Sequence, residues 1–150
     1  MRDRTLQTFG TNRYLLEALN SYSVEYIIVG GVAVNYYDPT REFDDLDLQI
    51  NPTEVNAQRT IDALKSLGVG VEFDAQQLAG PTRRIDVKHT YFADIVTPAA
   101  NFQFDDALAA AHDVMLNGVP VRLASRQTLI ELKSTDWPKD QDDIRRLKGS

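Results

Sequence analysis

Apolar and polar positions along the chain follow two periods, and these predict its elements. Leu15, Leu16 and Leu19 recur at helical spacing within residues 12–21, with Asn12 placed to act as N-cap. A run rich in β-branched residues over 25–29 predicts a strand. Gly30-Gly31 then open a short helix over 32–37 that Asp38-Pro39 stops. Residues 46–50 alternate as a second strand. Thr53, followed by Glu54, caps a third helix that ends just before Gly68 and places Val55, Ile61, Leu64 and Leu67 on its packed face.

The second half mixes both periods. Residues 69–73 are expected to form a strand, and residues 83–88 and 91–96 a hairpin around His89-Thr90. An alanine-rich helix is predicted over 105–112. Asn117-Gly118 stands between the apolar runs 114–116 and 119–123, which is the strongest short hairpin signal in the chain. Ser125 caps a helix through Lys133, and Pro138 opens a last one reaching about Leu147. There is no internal repeat, low-complexity tract or linker, so residues 1–150 are expected to form one domain. Interspersed helices and hairpins predict an α+β fold with a mixed sheet flanked by helices.

Composition narrows the chemistry. A hydrophobic fraction of 43% and a charged fraction of 25% are ordinary for a globular chain of 150 residues. No apolar run approaches the roughly 18 residues a membrane span needs, and the first ten residues lack a signal-peptide apolar region. A cytoplasmic protein without membrane contact is therefore expected. With no cysteine and two histidines, a metal site has to be built from oxygen ligands, which favours Mg2+ or Mn2+ over zinc. The formal net charge of −6 argues against broad, sequence-independent nucleic-acid binding.

The densest chemistry lies between Gly30 and Asp47. Glycines at a strand end let a ligand approach the backbone, and a following helix aims N–H groups at phosphate. Asp45 and Asp47, at i and i+2 on a strand, point to one face, where a divalent cation can sit between them. The competing reading is a strand end with two solvated acids. Asp94, set among Phe92, Ala93, Ile95 and Val96, needs a metal or a cationic partner such as Arg83 or Arg84.

Gly30-Gly31 followed by Asp45-Leu46-Asp47-Leu48 resembles the signature of the DNA polymerase beta-like nucleotidyltransferase superfamily. With Ala33, Val34 and Arg41 it is similar to the small AbiEii-type and minimal nucleotidyltransferase branch associated with toxin–antitoxin and abortive-infection systems. The resemblance extends through Asp94, Phe104 to Ala107, Leu129 to Lys133 and Pro138 to Ile144. It implies that Asp45, Asp47 and Asp94 are the catalytic, metal-binding carboxylates and that Gly30 and Gly31 cradle a triphosphate, with Lys133 reaching it. The implied cofactor is Mg2+, or Mn2+, with a nucleoside triphosphate as substrate. The implied reaction moves a nucleoside monophosphate to a hydroxyl of RNA, protein or a small molecule, with a protein partner or homodimer supplying further surface. The alternative is an inactive module of the same fold that acts as an antitoxin-like partner or nucleotide sensor.

Several positions have plainer readings. Arg41 either binds phosphate or pairs with Glu42 or Asp44, and Lys133 is balanced between phosphate contact and a surface lysine. Asp86 is the rival third carboxylate, expected to face the side of the sheet opposite Asp94. His89 and His112 are expected to be bystanders. Tyr36 and Tyr37 are expected to pack. Trp137, where the family's tail has an arginine, is expected to take an exposed or half-buried packing role rather than stack a base, and the charged run 139–143 to be a solvated helix start.

Overall fold

The computed structural model describes residues 5–149. Strand β1 (Thr5–Leu6) leads into helix α1 (Asn12–Ser21), strand β2 (Tyr26–Val29), helix α2 (Gly30–Tyr37) and strand β3 (Leu46–Ile50). Helix α3 (Glu54–Ser66) and the short α4 (Ala75–Leu78) precede strand β4 (Arg84–Asp86), the single turn α5 (Lys88–Tyr91) and strand β5 (Ala93–Val96). Helix α6 (Phe104–Ala110), strands β6 (His112–Leu116) and β7 (Val119–Leu123), and helices α7 (Arg126–Leu132) and α8 (Pro138–Gly149) complete the order.

Among the described residues the strands form one mixed sheet in the order β1-β6-β7-β2-β3-β5-β4. The pairs β2–β3, β4–β5 and β6–β7 are antiparallel, whereas β1–β6, β2–β7 and β3–β5 are parallel. Helix α1 packs with α3, while α2, α7 and α8 pack with one another. This is the expected α+β architecture with a mixed sheet and flanking helices.

Local chemistry explains most elements. Alternation in β3 puts Leu46, Leu48 and Ile50 fully in the core and leaves Asp47 on the other face. Thr53 caps α3 by accepting from the Asn56 N–H. At the other end Gly68, at φ +81°, lets its own N–H reach the Lys65 carbonyl and that of Val69 reach Leu64, a glycine-closed helix end. Asn117 and Gly118 both take positive φ, as a two-residue hairpin turn of the primed type requires. The Asn117 side chain also accepts from the Thr8 N–H at 2.6 Å, tying the start of the chain to that turn.

Other expectations are corrected. Residues 69–73 form no strand, because they find no ladder partner and lead instead to Asp74, whose capping box with Gln77 opens α4. Thr11, not Asn12, occupies the N-cap position of α1; Asn12 is buried inside the helix and donates to Thr8 Oγ1. Val55 is 64% exposed, but Ile61, Leu64 and Leu67 pack against the core as expected, beside the buried Ala57, Thr60 and Ala63. The hairpin β4–β5 exists, but a helical turn replaces the tight loop, and Phe92 at φ +52° redirects the chain into β5. The alanine-rich helix stops at Ala110, and His112 already belongs to β6.

Two buried polar groups join elements across the fold. Asn56, 2% exposed, donates to the Glu25 and Asn51 carbonyls and accepts from the Glu25 N–H, holding α3 to the open ends of β2 and β3. The Tyr37 hydroxyl donates to the Ala124 carbonyl at 2.7 Å, with the Arg126 guanidinium 4.8 Å from its ring centroid. Replacing Asn56 by Ala strands several backbone groups and is expected to lower stability by about 2–3 kcal/mol, against about 1 kcal/mol for Tyr37→Phe. Urea unfolding of both variants measures the difference; equal, near-zero losses would contradict this role for Asn56.

Candidate active site

The β3–β5 ladder brings the acidic residues together. Its parallel register sets Asp47 directly beside Asp94, and Asp45 lies two residues before Asp47. Side chains opposite one another in a ladder share a face, so Asp47 and Asp94 project the same way. They open into a cleft of about 460 Å³ that Asp45, Gly31, Arg41, Lys88 and Lys139 also line. The register thus brings Asp94 beside Asp47 although the two lie nearly fifty residues apart in sequence.

The glycine pair has a steric explanation. Gly30 opens α2 at φ +69°, and a Cβ placed there would lie 2.2 Å from Asp47 Oδ2. A side chain at Gly31 would meet Arg41 Nη1 and Phe43 Cβ, each at 3.1 Å. The two glycines therefore let the Asp47 carboxylate and the Arg41 guanidinium close in on the start of α2. Only Gly31 of the two lines the cleft.

Cations answer the crowded carboxylates. Arg84 Nη2 lies 2.5 Å and Lys88 Nζ 3.2 Å from the same oxygen of Asp94, Oδ2. Lys88 Nζ is also 3.7 Å from Asp45 Oδ2. The Asp94 side chain is only 7% exposed, and its other oxygen, Oδ1, is buried without a hydrogen-bond partner. Burial first, and then the neighbouring Asp94 and Asp45, push the Asp47 carboxyl above the usual range; Lys133 and Lys88 oppose the rise. Hydrogen bonding to Asp94 holds the Lys88 ammonium above its ordinary value.

Arg41 and Lys133 meet on a residue that sequence reasoning assigned to a solvated run. Asp143 of α8 is 1% exposed; Arg41 Nε lies 2.7 Å from its Oδ1 and Lys133 Nζ 2.8 Å from its Oδ2. Burial would raise the Asp143 carboxyl, but hydrogen bonds from Arg41 and Lys133 hold it below the usual range. Arg41 thus pairs with neither the Glu42 nor the Asp44 carboxylate, although it donates to the Glu42 carbonyl, and Lys133 is not a surface lysine. The signal that could have exposed Asp143 is its i, i+3 spacing from Asp140, which also approaches Lys133, at 3.7 Å.

The remaining candidates separate clearly. Asp86 is the register partner of Asp94, so the two share a face, contrary to the expectation from sequence. Its exposed carboxylate turns back to accept the Lys88 N–H at 2.9 Å and does not line the cleft. Neither His89 nor His112 lines it. Tyr37 packs as expected, whereas Trp137 is 73% exposed at the turn before α8. A separate apolar recess of about 310 Å³, between Asn20, Val24, Tyr26, Leu108 and Pro120, gathers no comparable set of acids.

The donor set suits a hard divalent cation. It offers carboxylate oxygens alone, one of them buried and unpartnered, and an Asp47 whose raised proton affinity a bound cation would reverse. Among the described residues, however, no group of three His, Cys, Asp or Glu side chains stands close enough to form a ready-made metal cage. Ammonium and guanidinium groups supply the compensating charge instead.

No family model matches the chain, and no curated protein matches it in sequence. Solved structures do resemble it. An antigenic nucleotidyltransferase-like protein from Paracoccidioides brasiliensis aligns over 95% of this chain and 76% of its own, with a TM-score of 0.57 and 22% identity. ANT(2'')-Ia in complex with adenylyl-2''-tobramycin aligns over 91% of this chain and 85% of its own, with a TM-score of 0.55 and 18% identity. The solution structure of the same antibiotic-resistance factor aligns over 93% and 81%, with a TM-score of 0.54 and 18% identity. The chain has the nucleotidyltransferase-like fold, and at these identities the likeness is one of fold.

Proposed function

We propose that the protein is a metal-dependent nucleotidyltransferase that uses a nucleoside triphosphate and Mg2+ or Mn2+, with Asp45, Asp47 and Asp94 as the carboxylates that hold the cation. The observation that carries this reading is the β3–β5 register, which sets Asp47 beside Asp94 at a cleft entered by the glycine-opened start of α2. Support for the reaction class comes from the fold and from one neighbour solved with adenylyl-2''-tobramycin, a nucleoside monophosphate joined to an acceptor. When bound, the cation would polarise the α-phosphate and offset the negative charge gathered in the cleft.

The chain's own residues have separable tasks. The acceptor hydroxyl oxygen forms a bond to the α-phosphorus, the bond to the bridging oxygen of the β-phosphate breaks, and pyrophosphate leaves with the electron pair. The hydroxyl proton passes to Asp94, which lines the cleft. Lys139 and the Gly31 backbone, both at the cleft, receive the phosphates, and Arg41 approaches them from its anchor on Asp143. Lys133 acts from the same anchor, and its charge eases the ionisation of Asp47. The AbiEii-like motif adds the expectation of a two-gene partner or a second copy that completes the acceptor surface, in a cytoplasmic setting.

A second reading is favoured by one observation: Arg84 and Lys88 both pair with Asp94. On that reading the fold persists as a nucleotide-binding or partner-binding module without transfer. Incubation with α-labelled triphosphates and candidate acceptors separates the two, since a module binds and releases no labelled product.

Two outcomes test the carboxylate assignment. Calorimetry is expected to show triphosphate binding that requires Mg2+ and is lost in the Asp45→Asn/Asp47→Asn double variant; unchanged metal-dependent binding would refute it. The second concerns pH. A carboxyl raised in the folded state destabilises above the unfolded value, most fully once pH exceeds the folded pKa. Asp47→Asn is therefore expected to raise the Tm of chelator-treated protein at neutral pH. The gain should vanish below the ordinary carboxylate range near pH 4. A gain independent of pH would mean that Asp47 carries no such electrostatic load.

A further inference from the structure

Lys88 stands where two acidic residues would share a cation. Its Nζ lies 3.2 Å from Asp94 Oδ2 and 3.7 Å from Asp45 Oδ2, so one ammonium spans a carboxylate on β5 and one just before β3. We propose that Lys88 is a tethered counter-cation which the divalent ion must displace, so that this side chain sets the metal affinity of the cleft. The inference rests on the reading of Asp45, Asp47 and Asp94 as metal ligands.

Three features fit displacement. The Lys88 side chain is 37% exposed, so it can rotate into the open cleft without crossing packed residues. Its backbone stays put, because the Lys88 N–H is held by Asp86 Oδ1 and the α5 turn is fitted between β4 and β5. Only a flexible four-carbon stem has to move, which is an inexpensive rearrangement on the scale of a helix or loop shift. Finally, Lys88 and Arg84 both crowd Oδ2 of Asp94 while its Oδ1 is buried, so a cation arriving at this carboxylate meets those two side chains. A divalent ion held by these carboxylates would share the cleft with the Lys88 ammonium, and like charges in a half-buried cleft repel. Arg84 contacts Asp94 but has no ion pair with Asp45 among the described residues, so Lys88 is the cation that spans both acids.

Mn2+ titration followed by the electron paramagnetic resonance of the free ion tests this on chelator-treated protein. Lys88→Gln removes the competing charge and is expected to tighten Mn2+ binding roughly two- to fivefold, the range for a partly exposed ion pair. Lys88→Arg keeps the charge and should stay near wild type. Thermal melts provide the second readout. Without metal, Lys88→Gln should melt below wild type, and it should gain more than wild type when Mn2+ is added. Equal or weaker Mn2+ affinity in Lys88→Gln overturns the proposal while leaving the metal centre standing. Failure of wild type and both variants to bind Mn2+ overturns the metal reading itself, and this proposal with it.

Discussion

Asp47 and Asp94 lie side by side in a parallel ladder, and like charges directly opposed on one face of a sheet repel. Much of the surrounding structure answers that repulsion. Arg84 reaches Asp94 from β4 and Lys88 from the turn that follows it, Lys88 also reaches Asp45, and the charge of Lys133 offsets the rise at Asp47. Gly30 lacks the Cβ that would strike Asp47 Oδ2, so the acid can sit against the start of α2. Such a cluster would be replaced by apolar pairs if stability alone were at stake, and its presence points to use rather than to folding.

A second, better-balanced charge group supports the first. Asp143 is buried between Arg41 and Lys133, and all three carry partners at hydrogen-bond distance. A buried ion pair gives little net stability, but removing one member leaves an uncompensated charge and is costly. Its consequence here is positional. It holds α8 against the segment after α2, and so brings Lys139 to the cleft while Trp137 stands outward at the preceding turn. The tail therefore contributes to the cleft through Lys139, whereas its aromatic residue takes no part in the core.

Fold and function rest on different supports. The neighbours align over at least nine-tenths of this chain, and one fold can host more than one activity. What points toward chemistry is instead the set of carboxylates and cations gathered along the cleft.

What could be read from the sequence alone was governed by short-range physics. The caps at Thr53 and Ser125, the Asn117-Gly118 turn and the alternation of β3 depend on dihedral preferences and hydrogen bonds within a few residues, and they are where expected. The steric need for the glycine pair was legible for the same reason, whereas Asp45, expected on the strand, falls in a bend just before β3. Segment 69–73 shows the limit, since an apolar run becomes a strand only if another strand is free to pair with it. The rest was decided by tertiary packing. No local signal dictates that β3 lies between β2 and β5, or that the register pairs Asp94 with both Asp47 and Asp86. Nor does one announce that Asp143 is buried, or that Lys88 reaches across to Asp45. Those contacts join segments up to 102 residues apart, and they exist only because burying the apolar face of the sheet leaves one arrangement for the charges on the other.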